Sequence, residues 1–147
     1  MKIWIVNGPS LNLLGLREPE HYGRETYGQL EARIRAYCEE KGIGVHFIQS
    51  NHEGDLVDAV QQAYFQGADG IVLNPAAYTH TSVALLDALR AVPVPAVEVH
   101  LSRLEEREDF RQVSYVRAAC IKTITGMGGD GYLRAVDALE DYHARHF

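Results

Sequence analysis

Five short apolar segments, KIWIV, GVHFIQ, GIVLN, AVEVH and ACIKTIT, recur along the chain with helical patterns between most of them. The segments span Lys2–Val6, Gly44–Gln49, Gly70–Asn74, Ala96–His100 and Ala119–Thr125, and each is short enough for a strand. Between and after them, Tyr27–Lys41, Glu53–Phe65, Thr81–Arg90 and Gly129–Ala144 carry apolar residues at helical spacing: Leu30, Ile34 and Cys38; Leu56, Val60 and Ala63; Val83, Leu86 and Leu89; Leu133, Val136 and Tyr142. Strands that are apolar throughout rather than alternating are covered on both faces. Alternation with helices makes their sheet parallel. Five such units predict an α/β, flavodoxin-like, doubly wound five-stranded parallel sheet of strand order 2-1-3-4-5. With 147 residues and 46% hydrophobic content, the chain reads as one catalytic domain, 1–147.

In such sheets ligands bind beyond the carboxyl ends of the strands, where the strand order reverses. That rule selects the residues from Asn7 onward, Asn74–His80, and His100–Ser102. The loop after the first strand, NGPSLNLLGLREPEHYG, is much longer than ordinary connections, and loops of that length tend to be functional.

Composition narrows the partners. The net charge is −6 with no basic block, which disfavours nucleic acid and anionic membranes. No apolar run approaches the roughly 20 residues of a membrane span, and the N-terminus lacks a signal-peptide pattern, so a cytoplasmic location is expected. Cys38 and Cys120 match no metal or redox spacing and read as reduced core residues. GMGGDG fits a dinucleotide fingerprint on paper, but only the terminal helix follows it. It reads as a turn and helix start instead. No histidine pair has metal-site spacing, no lysine sits where a Schiff base would be made (Lys2 opens a strand, Lys41 ends a helix and Lys122 lies in a strand), and no nucleophile elbow is present.

Three features carry chemistry. Glu98 and His100 are two apart in a strand and so share a face; the carboxylate would hold a proton on the ring. Tyr22 and Arg17 share the long loop. Bringing a phenol from about 10 to ~7 takes roughly 4 kcal/mol, within reach of one or two arginines in a dry site. A tyrosinate facing a protonated histidine suits removal of a proton beside a carbonyl and expulsion of a hydroxyl. Third, the backbone N–H groups of Leu101 and Ser102 enter a turn able to hold a carboxylate, with Arg111 nearby. Glu105, Glu106 and Glu108 read as a solvated charged helix.

The stretches NGPSLNLLGLREPEHYG, QSNHEGDLVD, NPAAYTHTSVALLDAL, VEVHLS, REDFR and GDGYLRA together resemble the type II 3-dehydroquinate dehydratases, in the same order over nearly the whole chain. The resemblance implies a hydro-lyase of the shikimate pathway or of quinate catabolism. It would eliminate water from the anionic substrate 3-dehydroquinate, with no cofactor and no metal, in a homododecamer built from trimers. It implies Tyr22 as base, Arg17 as its partner and His100 as acid oriented by Glu98. Asn74, His80 and Arg111 would bind ring hydroxyls, Asp87 would reach in from a neighbouring subunit, and Leu101 and Ser102 would hold the carboxylate. The long loop would then be a lid that closes over substrate.

Two positions depart from the family pattern. Ser10 stands where the family has the Asn that holds a water at the enolate, and Arg103 stands where Asn is usual. Ser10 leaves open a catalytically weakened paralogue. A non-enzymatic flavodoxin-like binding module is the other alternative, although the strand ends VNG and LNP lack the acidic cluster of a receiver.

Overall fold

The computed structural model describes residues 1–16, 20 and 23–147. Strands β1 (Lys2–Asn7), β2 (Gly44–Gln49), β3 (Gly70–Asn74), β4 (Ala96–His100) and β5 (Lys122–Thr125) form a parallel sheet in the order β2-β1-β3-β4-β5. Helices α1 (Tyr27–Glu40), α2 (Glu53–Phe65), α3 (Val83–Ala91) and α4 (Asp130–His146) flank it.

The period-2 geometry of the strands divides the core. Ile3 and Ile5 of β1 join Val72, Val97 and Val99 against α1 and α4, through Leu30, Ile34, Tyr132, Val136 and Leu139. Trp4 and Val6 join Ile71 and Leu73 against α2 and α3, through Leu56, Val60, Leu85 and Leu89. Each fully buried aliphatic side chain contributes about 1.5–3 kcal/mol, so both faces of the sheet are strongly held. Helix α1 starts where it does because Thr26 and Gln29 form a reciprocal capping box at 3.0 and 3.1 Å. Helix α3 starts after Ser82, whose Oγ accepts from Leu85 N at 3.0 Å.

Two segments differ from their sequence patterns. The fifth strand begins only at Lys122, because Val116–Ala119 first makes a 3-10 turn that buries Val116. LEEREDFR is no continuous helix. It forms two 3-10 turns, Leu104–Glu106 and Asp109–Gln112, tied together by Gln112 Nε2 donating to the Leu104 carbonyl at 2.5 Å. Glu105, Glu106 and Glu108 are exposed, as the charge pattern predicts.

Candidate active site

The sheet register creates the site. Asn7 ends β1 directly beside Asn74, which ends β3. The chain then continues through Gly8, whose N–H donates to the Asn74 carbonyl at 2.8 Å. A Cβ at position 8 would lie 2.5 Å from the Pro75 carbonyl oxygen, so only glycine allows the two strand ends to approach so closely. This is the point where the strand order reverses.

A cavity of about 140 Å³ opens there, lined among others by Ser10, Asn74, His80, His100, Ser102 and Arg111. Strand β4 supplies a buried, hydrogen-bonded pair. His100 Nε2 lies 2.5 Å from Glu98 Oε2. Glu98 is fully buried, and its carboxylate also accepts from Ser114 Oγ at 2.8 Å, Thr123 Oγ1 at 3.0 Å and Arg117 Nε at 3.2 Å. Burial pushes this carboxyl up. The bonds from His100 and Ser114 and the charges of His100 and Arg117 overcome it and hold the group down at about 2. Glu98 is therefore an anion at neutral pH. With Nε2–H committed to it, Nδ1 is the nitrogen His100 has left for a ligand.

His80 faces a backbone carbonyl instead of a carboxylate. Its Nδ1 lies 2.7 Å from the Val113 carbonyl, which accepts only, so Nδ1 carries the proton. Burial lowers its pKa, and the charges of His100 and Arg111 lower it further. The ring is neutral, and its Nε2 is a hydrogen-bond acceptor. Arg111 is oriented by Glu108, with Nε donating to Oε2 at 3.0 Å.

Arg107 also lines the cavity; from sequence it is one of the loop arginines, with Arg17, Arg24 and Arg111, that an anionic substrate would need. Its side chain is only 4% exposed, and Nη1 donates to Ser102 Oγ at 3.2 Å. A charge run normally marks a solvated face, but Arg107 directly follows the 3-10 turn Leu104–Glu106 and its guanidinium is buried. Ser114, Arg117 and Thr123 carry no local sign of their role, since only folding brings them to Glu98.

Ser10 adopts a left-handed conformation, φ +67°, with its N–H donating to Asn51 Oδ1 at 2.9 Å. Among L-residues, asparagine tolerates this region best. Arg103 is exposed, pairs with Glu106 at 3.7 Å, and packs its Cγ where a Cβ on Gly126 would stand. Gly126 and Gly128 of GMGGDG have φ of +75° and +56°, as a turn requires. Leu101 lines the cavity with Ser102, whereas Asp87 is exposed on α3 and is not among the lining residues. Arg17 and Tyr22 lie outside the described residues.

The family model described as Dehydroquinase class II matches residues 1–140. The chain belongs to the class II dehydroquinase family. A 3-dehydroquinate dehydratase of Carboxydothermus hydrogenoformans is 50% identical over 145 residues, 99% of this chain and 94% of the relative. One from Clostridium perfringens is 47% identical over 142 residues, 97% of each chain. The crystal structure of a type II dehydroquinase from Butyrivibrio crossotus superposes with a TM-score of 0.94 at 50% identity, covering 95% of this chain and 97% of that one. As a class II dehydroquinase the protein is an enzyme, a hydro-lyase.

Proposed function

We propose that this dehydroquinase converts 3-dehydroquinate to 3-dehydroshikimate by anti elimination of water through an enolate. The observation that carries the reading is the cavity at the β1/β3 reversal, which gathers His100, bonded to the Glu98 carboxylate, and His80, bonded to the Val113 carbonyl, with Arg107 and Arg111 in a chain of this family. Tyr22, as phenolate, takes the proton alpha to the ketone, and Arg17 and Arg107 hold it ionised. The electron pair left behind delocalises onto the ketone oxygen. A water held by Ser10 donates to that developing oxyanion. The enolate then collapses, expelling the beta hydroxyl, which His100 protonates from Nδ1 while Glu98 steadies Nε2. Neutral His80 accepts from a ring hydroxyl, and Asn74 and Arg111 bind the others. The N–H groups of Leu101 and Ser102 hold the carboxylate, with Asp87 supplied from a neighbouring subunit of a dodecamer built from trimers. The location that fits is cytoplasmic; among the described residues no helix is long and apolar enough to cross a membrane.

Conversion is followed by the ultraviolet absorbance of the conjugated enone. Tyr22→Phe lowers kcat at least ~10²-fold, the scale of a lost general base, and leaves the Kd of a non-reacting substrate analogue nearly unchanged. Near-normal turnover by that variant removes Tyr22 from the mechanism.

A further inference from the structure

A buried polar chain behind Asn74 has members that the mechanism does not use: Tyr132, Asn7 and Tyr27. Tyr132 of α4 is fully buried. Its hydroxyl lies between the two asparagines that end β1 and β3, 2.9 Å from Asn74 Nδ2 and 2.6 Å from Asn7 Oδ1. Asn7 Nδ2 lies 3.2 Å from the Tyr27 hydroxyl, at the start of α1.

The direction of every bond follows from one end. The Ala76 N–H can only donate, and it binds Asn74 Oδ1 at 3.1 Å. The nitrogen end of the Asn74 amide therefore faces Tyr132. The phenol accepts from it, so its own single proton goes to Asn7 Oδ1. The nitrogen of Asn7 is then left for Tyr27. Burial pushes the Tyr132 phenol up, so that proton stays in place.

An amide nitrogen carries two N–H groups, and Tyr132 engages one. Asn74 lines the cavity with His80 and His100. We propose that Tyr132 is a positioning residue for substrate recognition: its hydroxyl fixes the Asn74 amide so that an N–H, not the carbonyl, is offered to a substrate hydroxyl. The inference rests on Asn74 as a ligand of the substrate ring. The site then offers a donor from Asn74 beside the acceptor Nε2 of His80, a pattern that selects a hydroxylated ring over its deoxy counterpart.

Tyr132→Phe removes the hydroxyl and keeps the ring. Steady-state kinetics on 3-dehydroquinate with the full chain give the test, with a thermal melt to establish folding. Tyr132→Phe raises KM about 5–10-fold, the scale of one lost hydrogen bond, and changes kcat less than about twofold. Asn74→Ala raises KM at least as much, and adding Tyr132→Phe to it raises KM no further. Should Tyr132→Phe fail to fold, Asn7→Ala serves instead. It takes away the acceptor of the phenol proton and raises KM several-fold, but not in the Asn74→Ala background. A wild-type KM in the folded variant overturns the inference, as do KM increases that multiply with Asn74→Ala. If Asn74→Ala itself leaves KM unchanged, the role of Asn74 falls and the inference falls with it. If only Asn74→Ala raises KM, the inference alone falls.

Discussion

Glu98→Gln keeps the shape of the buried carboxylate and removes its charge. In the wild-type protein the carboxyl is held at about 2 against an ordinary 4.5, despite full burial. That difference corresponds to roughly 3 kcal/mol favouring the ionised form. It comes from the bonds of His100 and Ser114 and the charges of His100 and Arg117, with the 2.5 Å contact to His100 the shortest. A glutamine cannot satisfy the same donors. Its amide nitrogen would have to displace one of them, and the half-exposed Arg117 can turn to solvent at least cost. His100 would then face a neutral oxygen, and neutral hydrogen bonds are about half as strong as charge-assisted ones. If most of the 3 kcal/mol supports the charged ring, kcat falls by ~10²-fold. The assay is initial-rate enone formation at neutral pH, alongside thermal melts from neutral to acid pH. The group's folded value is depressed, so its contribution to stability is present above about 4.5 and is lost as pH falls toward 2. The wild-type protein loses stability across that window, and the variant lacks that part of the loss. A variant that melts cooperatively and keeps kcat within about threefold of wild type would refute the claim that the Glu98 charge supports His100.

Two further outcomes follow from the site. His80 is held neutral by burial, with its pKa lowered, so KM stays flat through neutral pH and rises only below 6.5, where Nε2 would turn from acceptor to donor. A rise already at pH 7, measured by pH-resolved kinetics, contradicts that assignment. Ser10→Asn places a better-suited residue in the left-handed conformation at φ +67°; the melting temperature does not fall, and kcat rises by up to ~10²-fold as the water at the oxyanion gains a donor. An unchanged kcat would mean that the serine hydroxyl serves that water equally well.

The strands were legible because β1 and β3 carry near-continuous apolar runs, which burial on both faces demands, while the half-exposed edge strand β2 and the Glu98-bearing β4 are still rich in β-branched and aromatic residues. The strand order then pointed to the residues after β1, β3 and β4. Asn74, His80, His100, Ser102 and Arg111 are indeed gathered around one cavity. What stayed hidden depends on contacts between distant segments. Nothing local marks Ser114 and Thr123 as donors to Glu98, and LEEREDFR carries no sign that Arg107 turns inward while its glutamates face water. Tyr132, in the first turn of α4, has no local mark either. Its role as a bridge between Asn7 and Asn74 exists only because the register sets those two side by side.

The account centres on a base and an acid working on opposite faces of one substrate ring. The most direct measurement uses 3-dehydroquinate carrying deuterium at the alpha position, on the face opposite the departing hydroxyl. Anti elimination predicts growth of the enone absorbance and a product without the label. Retention of deuterium in the enone, or no enone at all, would contradict it.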